Sequence, residues 1–285
     1  MAFRSGGGIS SGMRTAVCVI VKNEEPNFLE WICFHLAAGF DTILVYDNHS
    51  TDRTFDIARA ARAAGDVRVR RWERPSRQAG CYAHAHSVHR DAFDWMAFID
   101  SDEFLFAPGH GSIKDFLADK GQIPAFGVHW LCYGSSGATE ISEQLVIEEF
   151  VRRGPLTFSA NRHIKTLLQP KRAIAPIGGH KFRLVDDAPY YSADGQPIIE
   201  WLKPEGKAMR VSGTDHLRIN HYYTRSRAHY LRKLERGDVA LDMLVDAFRH
   251  HDRNDEHDDS ALVYRDKMKA MIDAVTAAQK REASE

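Results

Sequence analysis

Apolar residues in the first hundred positions fall into short blocks separated by stretches of helical spacing. Thr15-Ala-Val-Cys-Val-Ile-Val21 is a continuous, β-branched run, as expected of a strand covered on both faces. Pro26–Ala38 carries an apolar stripe of Phe28, Trp31, Ile32, Cys33 and Leu36 and stops at Gly39, which predicts a helix. A strand over Thr42–Tyr46 follows, then a helix capped by Ser50 or Asp52 and running to Ala64 before Gly65. Val67–Trp72 reads as a third strand, Gln78–Arg90 as a helix and Trp95–Ile99 as a further strand. Strands alternating with helices at this spacing predict right-handed crossovers and an α/β fold, a mostly parallel central sheet flanked by helices. Such sheets bind their ligands beyond the carboxyl ends of the strands.

Past residue 105 the pattern loosens. Ser112–Asp119 predicts a short helix, Phe126–Tyr133 a strand, Gly134–Gly137 a turn and Leu145–Val151 another strand. Pro and Gly at 154–155, 176–179, 195–197 and 204–206 mark a loop-rich middle. Helices return at Ser226–Arg236, Val239–His251 and Ala261–Ala278. Residues 1–13, rich in Gly and Ser, read as a flexible leader, 14–237 as one domain and 238–285 as a helical C-terminal extension with a polar tail. Met243, Leu244, Ala247 and Phe248 share a helix face suited to core packing or a homodimer contact.

Composition narrows the class. The 285 residues carry 38 Lys+Arg against 39 Asp+Glu, a net charge of −1 that supplies no global field for nucleic acid. With 44% hydrophobic and 27% charged residues, a rod or a mainly disordered chain is excluded. No run reaches the ~20 apolar residues of a spanning helix. Cys18, Cys33, Cys81 and Cys132 lie far apart without a C-x-x-C pair, which predicts neither a disulfide framework nor a four-cysteine zinc site and makes the cytoplasm the expected compartment. His84, His86 and His89 read as a polar helix face rather than a zinc site, because His84 and His86 are not on one side of a helix.

The chemistry concentrates where strands end. Trp95-Met-Ala-Phe-Ile-Asp100-Ser-Asp102-Glu103 leaves the core on three carboxylates. In extended chain Asp100 and Asp102 face the same side, and two converging carboxylates call for a cation; hard oxygen donors suit Mg²⁺ or Mn²⁺. The first strand ends in Lys22-Asn23-Glu24-Glu25 and the second in Tyr46-Asp47-Asn48-His49-Ser50-Thr51-Asp52. Three neighbouring polar rims converge where such folds bind nucleotides.

Val17-Cys-Val-Ile-Val-Lys-Asn-Glu with Glu30-Trp31, Val45-Tyr-Asp-Asn-His-Ser-Thr-Asp and Phe98-Ile-Asp-Ser-Asp-Glu-Phe together resemble the family-2-like glycosyltransferases of GT-A fold, especially the family-92 branch. Trp130-Leu-Cys-Tyr-Gly-Ser-Ser-Gly, Val146-Ile-Glu-Glu-Phe, His163-Ile-Lys and Asn220-His-Tyr-Tyr-Thr-Arg-Ser extend the resemblance over roughly residues 15–237. It implies that Asp100 and Asp102 hold Mn²⁺ or Mg²⁺ on the diphosphate of a nucleotide sugar, with His221 completing the metal sphere and His180 as its competitor. It places Lys22, Asn23, Glu24, Asp47, Asn48, Gln78, Tyr82 and Ser101 around the donor. Arg225 and Arg227 are expected near the departing phosphates. The implied reaction is inverting transfer of a hexose, from a uridine diphosphate sugar, to a glycan or lipid-linked glycan, with no nucleic acid or membrane-spanning segment involved.

An inverting transfer needs a base. Glu148 is the expected one, with Glu140, Glu143 and Asp215 as alternatives. The chain lacks an E-D acceptor motif and a Q-x-x-R-W string, which disfavours processive polymer synthesis, and Tyr133 stands where the family pattern often has Phe, leaving acceptor specificity open. Two other readings compete. A sugar nucleotidyltransferase would carry a Gly-rich basic loop after the first strand, where Lys22-Asn-Glu-Glu has no glycine. A non-catalytic nucleotide-sugar or glycan-binding module would be expected to have lost an acidic residue of the pair.

Overall fold

The computed structural model describes residues 12–73, 78–235 and 242–282. Most of the expected leader (residues 1–11) and the expected boundary at 237/238 lie outside them. Strand β1 (Thr15–Val21), helix α1 (Phe28–Ala37), β2 (Thr42–Asp47), α2 (Thr54–Ala60), β3 (Asp66–Arg71), α3 (Gln78–His89) and β4 (Trp95–Phe98) follow in the predicted order. β1 pairs in parallel with both β2 and β4, and β2 with β3, so the mostly parallel sheet is borne out in this half.

Period-two alternation explains why β1 is apolar throughout. Val17, Val19 and Val21 join α1 in one core, whereas Ala16 and Cys18 join Cys81, Tyr82 and Ala85 of α3 in the other. The sheet is therefore covered on both faces, and all four cysteines are buried thiols. Gly39 ends α1 at φ +103°, and a Cβ there would fall 2.7 Å from Ser112 Cβ, so only glycine fits this turn.

Beyond β5 (Glu103–Phe106) and α4 (Ile113–Leu117), β6 (Ala125–Cys132) pairs antiparallel with the strand Ile164–Leu168. That strand in turn runs antiparallel to β4. On the other side of β6, the strand Arg218–His221 runs parallel to it and antiparallel to β5, with His221 opposite Glu103. Two late segments thus flank the turn between β4 and β5.

The strand expected over Leu145–Val151 is a short helix instead, α5 (Val146–Glu149). Glu30 of α1, buried, accepts hydrogen bonds from the amides of Val146 (2.7 Å) and Ile147 (3.1 Å) and so caps the helix from a distant point in sequence. Helices α6 (Arg227–Glu235), α7 (Asp242–His251) and α8 (Arg265–Glu282) close the chain. α8 lies along α1, with Met268 fully buried and Lys267 Nζ 3.1 Å from the Ala37 carbonyl, so it forms part of the main core. The side chains of Met243 and Leu244 are outside the described set; Phe248 packs its ring 5.1 Å from Tyr230. Among the described residues no helix is long and apolar enough to cross a membrane.

Candidate active site

β4 stops at Phe98, and residues 101–102 form a turn before β5. The two acidic side chains therefore do not sit on one face of an extended strand; the turn sends each to its own lysine. Asp100 Oδ1 accepts from Gln78 Nε2 and lies 3.3 Å from the Tyr82 hydroxyl, while Lys165 Nζ approaches Oδ2 at 2.8 Å. Asp102 Oδ2 meets Lys233 Nζ at 2.5 Å, and its Oδ1 is 3.5 Å from His221 Nε2. Both residues open onto a pocket of about 320 Å³ whose wall includes Lys22, Glu24, Asn48, Gln78, Ser101 and Lys233.

Beneath the turn lies a sealed ionic layer. Glu103 is fully buried, accepts from the Asp100 amide at 2.8 Å and stands 3.8 Å from Lys165 Nζ. Burial pushes the Glu103 carboxyl well above its ordinary range despite Lys165, and Asp100 and Asp102 add to the rise. Burial also works against the Lys165 ammonium, but Asp100 and Glu103 outweigh it and raise its pKa. Desolvation would lift Asp102 too; Lys233 first, then His221 and Arg225, hold it well below the usual carboxylate range.

Arg225 is not at hand for departing phosphate. It is buried, adopts φ 46°, and donates to Glu24 Oε2 (2.8 Å), Asn27 Oδ1 (3.2 Å) and the Ser101 carbonyl (3.0 Å). It braces the acidic turn against the end of β1, and Arg227 is exposed at the start of α6. Besides Lys22, the pocket wall carries Lys233, which sequence reasoning missed. Nothing in Arg232-Lys233 distinguishes the inward residue from its neighbour until α6 is placed.

Of the expected donor-binding residues, Lys22, Glu24, Asn48, Gln78 and Ser101 line the pocket. Asn23, Asp47 and Tyr82 stand behind it. Asn23, at φ 52°, accepts from the Thr51 amide (2.8 Å) while its own amide donates to Ser50 Oγ (3.0 Å), tying the first two strand-end loops together. Asp47 is fully buried against Arg71 (2.5 Å) and the Ser50 amide (3.2 Å). Tyr82 donates to the Ile99 carbonyl at 3.0 Å.

The expectation for Glu148 is corrected. It lies on α5 away from the pocket, bound to Lys269 Nζ of α8 at 2.8 Å, because the capped helix turns it toward α8. The alternatives Glu140, Glu143 and Asp215 are exposed. His180 does not reach Asp102. Its Nδ1 donates to the Ile164 carbonyl at 2.9 Å, and burial, then Lys165, push its pKa down to about 4. His221 holds the position, its ring 4.1 Å from that of Trp130. Tyr133 is fully buried, 3.4 Å from Arg218, and belongs to the core rather than to an acceptor surface. His84 turns to the Tyr46 hydroxyl and His86 to the Pro170 carbonyl, so they do not converge.

Asp102 Oδ1 and His221 Nε2 form an oxygen–nitrogen pair close enough to share one cation. Among the described residues no group of three His, Cys, Asp or Glu side chains is assembled for a metal. A cation of the Mg²⁺ or Mn²⁺ type that also takes phosphate oxygens needs only one or two protein side chains, so the pair fits such an ion.

The profile of glycosyltransferase family 92 matches residues 14–174. A family 92 protein of Oryza sativa subsp. japonica is 28% identical over 194 residues, which covers 66% of this chain and 32% of the relative. A galactan beta-1,4-galactosyltransferase of Arabidopsis thaliana is 24% identical over 183 residues, 59% of this chain and 35% of that protein. The chain thus spans about a third of the length of the curated relatives it matches. Among solved structures, S. aureus TarS aligns with 83% of this chain and 43% of its own at 15% identity and a TM-score of 0.38. Glucosyl-3-phosphoglycerate synthase from Mycobacterium tuberculosis, crystallised with Mn2+, uridine-diphosphate-glucose and phosphoglyceric acid, aligns with 42% of this chain and 44% of its own, at 22% identity and 0.32. With over half of its length matched by the profile, the chain belongs to glycosyltransferase family 92.

Proposed function

We propose that this chain transfers a hexose from a uridine diphosphate sugar to a glycan or lipid-linked glycan acceptor, with inversion and with the help of a divalent cation. The observation that carries the reading is the pocket at the carboxyl ends of β1 and β4. There Asp102 and His221 stand together beside Lys22, Asn48 and Gln78. Asp102 and His221 would hold Mn²⁺ or Mg²⁺, which supplies charge to the leaving diphosphate when bound. The chain's own residues orient the donor. Gln78 and Tyr82 fix Asp100, Arg225 fixes the backbone of the turn, and Lys22 and Lys233 face incoming negative charge.

The test is a thermal-shift series with UDP-sugars, with and without Mn²⁺, followed by product analysis. UDP-galactose leads the series because a relative is named a galactosyltransferase. A bound donor raises Tm by an amount that grows with the logarithm of its concentration relative to Kd, so at equal concentration the tighter donor gives the larger shift. Nucleoside diphosphate released only in the presence of acceptor supports transfer. Pyrophosphate release would favour nucleotidyl transfer, and donor binding without turnover would favour a binding module.

A further inference from the structure

We propose that Lys233 is a resident counter-cation of the acidic turn, one that yields Asp102 to a divalent ion and then meets the donor's diphosphate. The inference rests on the nucleotide-sugar reading above and adds an exchange between two cations at one carboxylate. Asp102 is occupied on both oxygens. Lys233 Nζ sits 2.5 Å from Oδ2, and His221 Nε2 is 3.5 Å from Oδ1. A cation binding through this carboxylate competes with an ammonium already there, because both draw on the same negative charge.

The two lysines of the turn differ in whether they can leave. Lys165 has a side chain 1% exposed and is shared between Asp100 and Glu103, so its departure would leave the buried Glu103 without a cation and release Asp100 at the pocket wall. Lys233 has a side chain 31% exposed, projects from α6, and has its ammonium 4.0 Å from the centre of the Tyr223 ring. Tyr223 therefore offers a second resting place for the charge when Asp102 is given up. Lys233 also lines the pocket together with Lys22 on β1's side. Once released, its ammonium remains on the wall that a diphosphate would approach, and a lysine serves phosphate as a point charge.

The exchange predicts opposite changes in two affinities. Lys233→Met, titrated with Mn²⁺ alone by calorimetry, binds the ion about tenfold more tightly, because the competing ammonium is gone. The same variant at saturating Mn²⁺ binds UDP about tenfold more weakly, because the diphosphate has lost a partner. Lys233→Arg keeps UDP affinity within about threefold of the parent. A variant that had merely lost structure would weaken both ligands together, so the opposed signs separate exchange from misfolding. Unchanged or weaker Mn²⁺ binding in Lys233→Met overturns the proposal, as does unchanged UDP affinity. A parent protein that binds UDP with no response to Mn²⁺ overturns the exchange and leaves sugar transfer standing; one that binds neither overturns both.

Discussion

Asp100 and Asp102 stand two residues apart and open onto the same pocket, yet they are held in different ways. Asp100 is anchored from below, by a lysine sealed in the core that a second carboxylate shares. Asp102 is held from the side, by a lysine on α6 and an imidazole. The difference teaches that identical residues in one motif can divide the work of a site: one half fixes the turn as part of the fold, and the other keeps a carboxylate exchangeable.

The largest effect should come from the buried side. Lys165→Met leaves Glu103 and Asp100 without their cation and should cost about 3–5 kcal/mol in urea unfolding. Lys233→Met should cost less, about 1–3 kcal/mol, because Asp102 keeps His221 beside it and Arg225 nearby. Equal losses would break the comparison. Adding Glu103→Gln to Lys165→Met should recover part of the loss and would sharpen it.

Activity should divide the other way. Asp102→Asn should lower turnover of the donor about 100-fold, whereas Asp100→Asn, whose neighbours still hold the turn, should lose about tenfold. Steady-state rates at saturating Mn²⁺ decide this, and a reversed order would assign the exchangeable role to Asp100.

A third carboxylate extends the contrast, because Glu30 is hydrogen-bonded by two backbone amides, with only a smaller electrostatic pull from Arg225 added to them. Burial raises its pKa to about 7 from an ordinary 4.5, against the pull of the Val146 and Ile147 amides. The folded chain then binds this proton more tightly than the unfolded one. The associated stability is complete below about pH 4.5 and is lost as pH rises through about 7, at up to ~1.4 kcal/mol per pH unit. Unfolding free energy measured at pH 5 and pH 8 should therefore fall more steeply in the parent than in Glu30→Gln. Parallel slopes would show that the carboxyl titrates alike in both states.

The smallest effect belongs to Glu148, paired with Lys269 at the surface and away from the pocket. Glu148→Ala should cost less than about 1 kcal/mol and leave turnover intact. A loss of about 100-fold or more in kcat would return it to the role of base.

The half of the fold from β1 to β4 was legible because each strand is a compact apolar run and each helix between them has its own stripe, so local pattern and tertiary placement agree. Leu145–Val151 was misread because its decisive partner, Glu30, lies on another helix; Val146-Ile147 followed by two glutamates carries no local sign of that cap. The D-x-D element was legible as chemistry but not as geometry, since the alternation of an extended chain does not survive a turn at 101–102. Lys165 stood within the His163-Ile-Lys string that carried part of the family resemblance, yet a lysine in a strand looks like any outward polar position until a buried carboxylate is found opposite. Lys233 had no local sign at all.

The order of these residues along the chain constrains how the protein is made. Asp100, Asp102 and Glu103 leave the ribosome well before Lys165, and His221, Arg225 and Lys233 follow later still. A nascent chain arrested near residue 150 would carry its acidic turn with none of these four partners, and a carboxylate as deeply placed as Glu103 would resist burial. The leading sheet can collapse early during synthesis, but its acidic end must stay open to water until the strand bearing Lys165 is inserted beside β4.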